Sequence, residues 1–452
     1  MRLGVIILDT LRYDICDEEM PQLKRYGDHI FENLYSTSRW TPPAHASLFT
    51  GYFPSEVGTH AQHRHLSSPE PTLAEQLRDA NYETVAISNN INIDRFFNFD
   101  RGFERFKRGP GIENRPEENT LNFDWNALER RISDSGIRRP LEAIYHLVTS
   151  NTPTVPTLKR GFEIYRKSSE DTRGIEWAEP TFDELVADCP DDLFFFANFM
   201  TCHYPYNPPE RYSDLEPLGV NPIEMTLRSG EITDDEHNRQ WSNYVGAVRY
   251  LDDTLPQMID RIDWDLLVVL GDHGELFDEY GLYGHQYGVY EELTHVPAIA
   301  IGNRVPEGTT TGPTSIVDIH RTILEAAGIE VDHSHRGINL FTADSPDDRA
   351  VYAESMGCEW YSHDATGIEA KIPAAWAEPH YMLRTRGGML IHDKDGTRVI
   401  NPVTGEAIPT KRSELQARVE RLQASRSDVS ADREYQEIPE KIQNQLKQLG
   451  YK

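Results

Sequence analysis

The chain has few cysteines and no long apolar run, and each shortage excludes a class of protein. Four cysteines in 452 residues, with no CxxC spacing, exclude a disulfide framework and a zinc knuckle. No apolar stretch approaches the roughly 20 residues that a membrane helix needs. The apolar run before Asp9 is also too short for a secretory signal. We therefore expect a cytoplasmic protein with reduced thiols and no membrane span.

Basic charge is scarce as well. The chain has 45 Lys and Arg against 74 Asp and Glu, which gives a formal net charge of −29. Nucleic acids and anionic membranes repel such a surface, so we predict no nucleic-acid partner. Only 10 of the basic residues are lysine, and a lysine-poor, acidic surface is typical of proteins kept soluble in concentrated salt. A halophilic source is therefore a hypothesis, and the composition leaves the oligomeric state open.

Five short apolar runs predict buried strands. Their apolarity is continuous rather than alternating, which favours a mostly parallel sheet covered by helices on both faces. Helical patterns separate several of the runs, so the sequence predicts an α/β, doubly wound fold. The predicted strands are residues 3–8, 83–88, 193–199, 265–270 and 296–301, and the predicted helices are residues 71–80, 240–262 and 316–327.

Two stretches interrupt this pattern and suggest the domain organisation. Residues 104–180 are rich in charge, arginine, proline and asparagine, and we interpret them as an insertion in a main domain of residues 1–342. A polar, turn-rich linker around 342–350 leads to a C-terminal subdomain, residues 343–452. There "HYMLRTRGGMLIHDKDGTRVINPVTG" predicts antiparallel hairpins. The segments "RSELQARVERLQASRSD" and "IPEKIQNQLKQLGYK" predict closing helices.

Polar side chains follow three of the predicted strands. Asp9 ends the first strand, Asp272 and His273 follow "LLVVLG", and His203 follows "FFFANFMTC". Ligands of open α/β sheets bind at the carboxyl ends of the strands, so these side chains are expected to converge. Two carboxylates and an imidazole suit a divalent cation, and Thr41 could add a hydroxyl ligand.

The stretch "TPPAHASLF" predicts a helix that starts just after Thr41. Pro42 and Pro43 fit the first turn of a helix and not its interior. A helix N-terminus attracts anions, which would place Thr41 beside an anion site. The alternative is that Thr41 is an ordinary helix N-cap.

Five motifs, in this order, carry a family resemblance. They are "ILDTLRYD", "TPPAHASLFTG", "HYPY", "GDHGE" and "YGHQYGVYEELTHVP". Together they resemble the sulfatase branch of the alkaline phosphatase superfamily, from about residue 3 to 330. The resemblance implies an alkaline phosphatase-like fold, a smaller C-terminal α+β subdomain, and a metal-dependent hydrolase of sulfate or phosphate esters.

The nucleophile motif departs from the sulfatase pattern. Sulfatases have Cys-x-Pro-x-Arg, with the cysteine oxidised to formylglycine; here Thr41, Pro43 and His45 stand at those three positions. Threonine has no thiol and cannot form formylglycine. It is the nucleophile in the related nucleotide pyrophosphatase/phosphodiesterases and in phosphoethanolamine and glycerol-phosphate transferases. The resemblance therefore implies Thr41 as nucleophile and favours phosphomonoesters and phosphodiesters.

The same resemblance implies one divalent metal ion, which can be Mn, Zn or Ca. Its ligands would be Asp9, Thr41, Asp272 and His273. Many sulfatases have two consecutive aspartates in the first motif, whereas Thr10 follows Asp9 here, so one oxygen ligand is missing. Nitrogen ligation by histidine favours manganese or zinc. A second metal is left open.

We assign roles to five further residues. His203 and His285 match positions that contact the substrate oxygens, and we assign them to proton transfer. We assign His45, Arg12 and His295 to substrate binding.

Three functions follow from these features. The first is a metal-dependent hydrolase that acts on a small-molecule or glycan ester. The second is a transferase that moves a phospho-alcohol group onto a glycan or lipid. The third is a non-catalytic sulfatase-like protein that binds an anionic glycan, which the loss of the formylglycine cysteine keeps open.

Overall fold

The computed structural model describes residues 1–61, 63–109, 174–228, 230–332, 335–341, 349–357, 376 and 378–425. Within these ranges the strands are β1 Arg2–Leu8, β2 His29–Tyr35, β3 Glu83–Ser88, β4 Arg105–Arg108, β5 Leu193–Phe199, β6 Leu266–Leu270, β7 Leu276–Phe277, β8 Tyr283–Gly284, β9 His295–Ile301, β10 Gly308–Thr310, β11 Thr314–Ser315, β12 Ala350–Ser355, β13 His380–Thr385, β14 Gly388–Asp393 and β15 Gly396–Ile400.

Helices alternate with the strands of the main domain. The α-helices in the described ranges are α1 Tyr13–Glu19, α2 Pro21–Tyr26, α3 Thr41–Thr50, α4 Pro54–Val57, α5 Leu73–Asp79, α6 Glu179–Ala187, α7 Pro222–Leu227, α8 Asp234–Ile259, α9 Glu291–Thr294, α10 Ile316–Ala326 and α11 Arg412–Ala424. None of them is long and apolar enough to cross a membrane.

A nine-stranded sheet forms the centre of the molecule, in the order β10-β2-β9-β6-β1-β5-β3-β4 with β11 beside β2. Most neighbours are parallel, as the apolar runs predicted. Strand β9 differs, because it pairs antiparallel with both β6 and β2. A strand buried on both faces has the same apolar sequence in either direction, so its orientation could not be predicted.

Helices cover both faces of this sheet, each over its own apolar core. One core lies under α3, α5 and α10, and the other lies under α1 and α8. Strand β1 serves both cores, because its alternate side chains point to opposite faces: Val5 and Ile7 to one, Ile6 and Leu8 to the other. All four side chains are buried, which explains why this strand has no polar face.

The insertion predicted for residues 104–180 is narrower than expected at both ends. Arg105–Arg108 forms β4 at the edge of the central sheet, parallel to β3. Ile175 and Ala178 are buried in the core that also contains α8. Both ends therefore belong to the main domain, and residues 110–173 lie outside the described part of the chain.

The C-terminal subdomain is a four-stranded antiparallel sheet in the order β12-β13-β14-β15, as the hairpin signals predicted. One face packs against Tyr35 and Val289 of the main domain. The other face packs against α11 and Phe53. The first predicted closing helix is thus present as α11, whereas the second falls outside the described residues.

Candidate active site

Strand β1 delivers Asp9 to the carboxyl edge of the central sheet, where its side chain is fully buried. The next residue, Thr10, has a φ of 62°, a left-handed conformation that is costly for a β-branched residue. Its hydroxyl donates to the carbonyl of Cys202 at 2.6 Å. Thr10 therefore turns its side-chain oxygen toward the protein, and it does not replace the missing second aspartate.

Thr41 is the first residue of α3, so the helix begins one residue earlier than expected. Trp40 occupies the cap position, and no side chain caps this helix. The Thr41 hydroxyl instead lies 3.4 Å from Oδ2 of Asp9 and 3.2 Å from Nε2 of His273. The side chain of Thr41 thus contacts the carboxylate and imidazole rather than acting as an N-cap.

The start of α3 is a poorer anion site than the sequence suggested. Pro42 and Pro43 occupy the second and third helical positions, and neither has a backbone N–H. The N–H of Ala44 points toward the carbonyl of Trp40 at 3.4 Å. The helix dipole remains, but two of the donors that usually bind an anion at a helix N-terminus are missing.

Asp272 and His273 reach the same place from the end of β6. Nε2 of His273 lies 3.6 Å from Oδ1 of Asp9 and 3.6 Å from Oδ2 of Asp272. Nδ1 of His273 donates to the carbonyl of Gly274 at 3.0 Å, so Nε2 carries the lone pair. Asp9, Asp272 and His273 therefore present three ligand atoms to one point, within 4.8 Å of one another.

The polar atoms at this point fit a cation. Both Oδ1 of Asp9 and Oδ2 of Asp272 are buried and receive no hydrogen bond within the described part of the chain. Ligand atoms that bind one small cation at about 2.1 Å lie about 3 to 3.4 Å apart. The separations of 3.6 Å are close to that spacing, so a divalent ion would satisfy both oxygens and His273.

Burial shifts the pKa values of Asp9, Asp272 and His273. Burial raises the pKa of Asp9, and it raises the pKa of Asp272 well above its ordinary value, with the neighbouring Asp9 charge adding to the effect. Burial lowers the pKa of His273 well below its ordinary value. Two adjacent buried carboxylates and a neutral imidazole are the charge arrangement that a divalent cation stabilises.

His203 and His285 lie beside the cluster. Their ring centroids are 5.3 Å apart, and His285 is 4.5 Å from the ring of His273. His285 Nδ1 pairs with Oε1 of Glu275 at 2.9 Å, and the hydroxyl of Tyr206 donates to the other oxygen of Glu275 at 2.9 Å. Glu275 is fully buried, and that burial raises its pKa to about 7.

His45 was predicted to bind substrate, but the structure buries it completely behind the cluster. Nδ1 of His45 donates to the carbonyl of Thr41 at 3.0 Å and lies 3.5 Å from Oδ2 of Asp272. Three phenylalanine rings surround the imidazole edge-on, and burial lowers the pKa of His45 to about 3. His45 is therefore a neutral support for Thr41 and Asp272.

Arg12 was also predicted to bind substrate, but its guanidinium contacts other residues of the protein. Its guanidinium pairs with Asp14 at 2.7 Å and with Glu279 at 2.6 Å, and it donates to the carbonyl of Glu275 at 3.2 Å. These are acceptors of the protein itself. Arg12 thus fixes the segment that carries Glu275.

His295 lies at the start of β9 and is the third residue predicted to bind substrate. Its Nε2 is 2.8 Å from the carbonyl of Glu32, and its ring stacks on Tyr13 and Tyr35 at 4.1 and 5.0 Å. Each of these contacts joins β9 to neighbouring elements. The described contacts of His295 therefore connect it to the scaffold and not to Asp9, Thr41 or His273.

Three residues of the site were missed. Asn90 and Asn198 donate to Oδ2 of Asp9 at 2.7 and 3.3 Å, and Glu275 holds His285. Asn90 follows the end of β3 by two residues, so the strand-end rule could have found it. Glu275 is the last letter of "GDHGE". Asn198 is the one polar residue of the otherwise apolar strand β5, and that isolation among apolar residues could have found it.

A buried arginine connects this site to the C-terminal subdomain. Arg39, two residues before Thr41, donates to Oγ of Ser355 at 2.8 Å and to the carbonyl of His285 at 2.5 Å. Ser355 ends β12 of the C-terminal sheet. The C-terminal subdomain therefore helps to fix both the Thr41 segment and the His285 loop.

Comparison with known proteins identifies a family whose model matches most of the chain. A family model described as Sulfatase matches residues 5–329. The choline-sulfatase of Rhizobium meliloti is 23% identical over 338 residues, which cover 67% of this chain and 61% of that protein. The aligned part thus spans about three fifths of that relative's length.

Two further matches are of different kinds. The low-salt glycan biosynthesis sulfotransferase Agl7 of Haloferax volcanii is 36% identical over 115 residues, 24% of this chain and 27% of that protein. The solved phosphonate monoester hydrolase from Silicibacter pomeroyi superposes with a TM-score of 0.64 and 18% identity, covering 94% of this chain and 96% of that one. At that identity the likeness shows the fold alone.

Proposed function

Because the chain belongs to the sulfatase family, we propose that it is a metal-dependent ester hydrolase with Thr41 as its nucleophile. The observation that carries the proposal is the contact of the Thr41 hydroxyl with Asp9 and His273, at 3.4 and 3.2 Å. Threonine at this position favours phosphomonoesters and phosphodiesters over sulfate esters. The substrate class is a small-molecule or glycan ester.

The proposed cofactor is one divalent ion, which can be Mn, Zn or Ca. Asp9, Asp272, His273 and Thr41 would hold it. Such an ion supplies a Lewis acid, which lowers the pKa of a hydroxyl that binds it and neutralises charge on the non-bridging oxygens of the ester. Two buried carboxylate oxygens, which receive no hydrogen bond from the described residues, support this assignment.

In the first step, the Thr41 hydroxyl attacks the phosphorus or sulfur of the ester. A bond forms from Oγ1 to that atom while its bond to the ester oxygen breaks. The hydroxyl proton passes to Oδ2 of Asp9, the oxygen that the hydroxyl faces. The leaving alkoxide takes a proton from His285 and departs as an alcohol.

In the second step, water releases the group from Thr41. His285, now neutral, takes a proton from the water, which attacks the phosphorus or sulfur, and Asp9 returns its proton to Thr41. Burial, the neighbouring imidazole of His203 and the positive charge of Arg39 lower the pKa of His285 well below its ordinary value. The negative charge of a bound ester has the opposite effect and favours the imidazolium form that the first step needs.

Glu275 has a positioning role in this scheme. Its Oε1 accepts from Nδ1 of His285, so Nε2 is the nitrogen that exchanges a proton with the substrate. His203 is arranged similarly, because its Nδ1 donates to the carbonyl of Tyr204 at 2.6 Å. We assign His203 to contact with the ester oxygens and His285 to proton transfer.

The proposal is tested by turnover of an aryl phosphate, an aryl phosphodiester and an aryl sulfate. Each is assayed with Mn²⁺, Zn²⁺ and Ca²⁺ in turn, at low and at molar salt. We expect turnover that chelation abolishes, with a phosphate ester preferred over the sulfate ester. Absence of turnover under every condition would instead support the non-catalytic glycan binder.

A transferase is the second candidate, because a 115-residue segment is 36% identical to a glycan biosynthesis sulfotransferase. An acceptor alcohol would then replace water in the second step. Adding glycan alcohols to the assay and identifying the products distinguishes the two functions. A transferase converts the acceptor into its ester, whereas a hydrolase releases only the free acid.

A further inference from the structure

Asn90 has a fixed orientation beside Asp9. Its Oδ1 accepts the N–H of Asn92 at 2.8 Å, and its Nδ2 donates to Oδ2 of Asp9 at 2.7 Å. The first contact identifies the oxygen of the amide, so the nitrogen must face the carboxylate. The N–H of Asn90 also donates to Oγ of Ser88 at 3.1 Å, and the side chain is fully buried. Asn90 therefore holds one oxygen of Asp9 from a rigid turn.

Asp272 is held in the same way by backbone donors. Its Oδ1 accepts the N–H of Thr10 at 3.3 Å and the N–H of His273 at 2.9 Å. Each carboxylate of the pair thus has one oxygen bound by protein donors. The other oxygens, Oδ1 of Asp9 and Oδ2 of Asp272, have no donor in the described part of the chain and are those nearest to Nε2 of His273.

We propose that Asn90 is a positioning residue that restricts Asp9 to one ligand oxygen and so makes the site select Mn²⁺ or Zn²⁺ over Ca²⁺. The inference rests on the divalent-ion site of the proposed function. Ca²⁺ takes six to eight oxygen ligands and often binds carboxylates through both oxygens. Two single carboxylate oxygens, one imidazole nitrogen and a hydroxyl suit a smaller transition-metal cation.

Asn198 contributes less to this restriction. Its Nδ2 lies 3.3 Å from Oδ2 of Asp9 and also 3.4 Å from Nε2 of His45. Its Oδ1 has no hydrogen-bond donor among the described residues, so the structure does not fix this amide as firmly. The short, single contact of Asn90 is the stronger of the two.

The test measures metal binding directly, by titration calorimetry of the metal-free full chain with Mn²⁺ and, separately, Ca²⁺. We expect the wild type to bind Mn²⁺ at least about tenfold more tightly than Ca²⁺. Asn90→Asp removes the shortest donor to Oδ2 of Asp9 and adds an oxygen beside it, and it should shift the ratio of the two dissociation constants about tenfold or more toward Ca²⁺.

Asn89→Asp is the matched control. It adds the same charge one residue away, on a side chain whose Oδ1 accepts the N–H of Met200 at 3.1 Å. Its ratio of dissociation constants should remain that of the wild type. If Asn90→Asp does not fold, Asn90→Ala removes the same donor without a charge and should shift the ratio in the same direction.

Two results would overturn the inference. One is a wild type that binds Ca²⁺ as tightly as Mn²⁺. The other is a ratio that Asn90 variants leave unchanged or that Asn89→Asp shifts equally. Both are independent of turnover, so a protein that selects Mn²⁺ but cleaves no ester would contradict the proposed function and leave the role of Asn90 intact.

Discussion

The hydroxyl of Thr41 lies 3.2 Å from Nε2 of His273, although 232 positions separate the two residues in the chain. One begins α3 and the other follows β6, so the central sheet is what brings them together. The contact joins the proposed nucleophile to the proposed metal ligands. Predictions on either residue therefore test one site.

Asp272→Asn should abolish metal binding and stabilise the metal-free protein. The variant removes a ligand oxygen, and it also removes the repulsion between two buried carboxylates. We expect the metal content of the purified protein to fall to background. The free energy of unfolding of the metal-free form should rise by about 1 to 3 kcal/mol.

The matched control for that variant is Asp235→Asn, a side chain that is 73% exposed on α8. It should leave the metal content unchanged and lower the free energy of unfolding by less than about 1 kcal/mol, through loss of its ion pair with Arg239. Elemental analysis and chemical denaturation measure the two quantities. Metal content that Asp272→Asn leaves at the wild-type level would remove this residue from the site.

Glu275 should make the metal-free protein less stable as the pH rises. Burial raises its pKa from an ordinary 4.5 to about 7, so the folded state holds the proton more tightly than the unfolded state does. The resulting stability is complete below about pH 4.5 and is lost as the pH rises through about 7. Between those two pH values, the free energy of unfolding of the wild type should fall by up to about 3 kcal/mol relative to that of Glu275→Gln.

Glu236→Gln provides the comparison, because its carboxylate is only partly buried at the start of α8. The N–H of Thr233 and the side chain of Arg228 lower the pKa of Glu236, so its stabilising effect is lost only at acidic pH. From about pH 5 to 8, the difference in free energy of unfolding between Glu236→Gln and the wild type should stay constant. Urea denaturation at several pH values measures both series. If the difference in free energy of unfolding between Glu275→Gln and the wild type does not change with pH over this range, the folded protein holds Glu275 ionised.

The central sheet was largely predictable, and its exceptions have physical reasons. Five strands have continuous apolar sequences, because both of their faces are buried. Strands β2 and β4, with the sequences HIFENLY and RFKR, were missed because solvent-facing polar residues interrupt the apolar signal. The antiparallel direction of β9 depends on its connection to the rest of the chain and not on its composition.

The site was predictable where a residue follows a strand or belongs to a motif. Asp9, Asp272 and His273 converge as expected, because parallel strands end at one edge. Arg12 and His295 were assigned to substrate binding from their side-chain chemistry and their position in the sequence alone. Their contacts with Glu279 and Tyr13 depend on tertiary packing, which a single sequence does not reveal.

Salt should stabilise the fold. The formal net charge of −29 makes the chain self-repelling, and the Debye length falls from about 10 Å at 0.1 M salt to about 3 Å at 1 M. The thermal midpoint should therefore rise by several degrees between those concentrations. Sucrose at matched osmolality separates charge screening from general stabilisation by solute exclusion. A midpoint that stays flat or falls with added KCl would contradict the halophile hypothesis.

Thr41→Ala should abolish turnover, whereas Thr41→Ser should retain a measurable part of it. Serine keeps the hydroxyl that contacts Asp9 and His273, and alanine does not. Loss of a nucleophile lowers turnover by several orders of magnitude. Because no side chain caps α3, we expect either variant to change the free energy of unfolding by less than about 1 kcal/mol.

The control for Thr41 lies at the other end of the same helix. Thr50 is also fully buried, and its hydroxyl donates to the carbonyl of Ala46 at 2.7 Å. Thr50→Ala should cost stability and leave turnover nearly unchanged, which is the reverse of the pattern for Thr41. Rapid quench with the preferred ester, followed by peptide mass analysis, should find the transferred group on Thr41. A Thr41→Ala variant that cleaves the preferred ester at a near wild-type rate would show that another group attacks the ester and that Thr41 is structural.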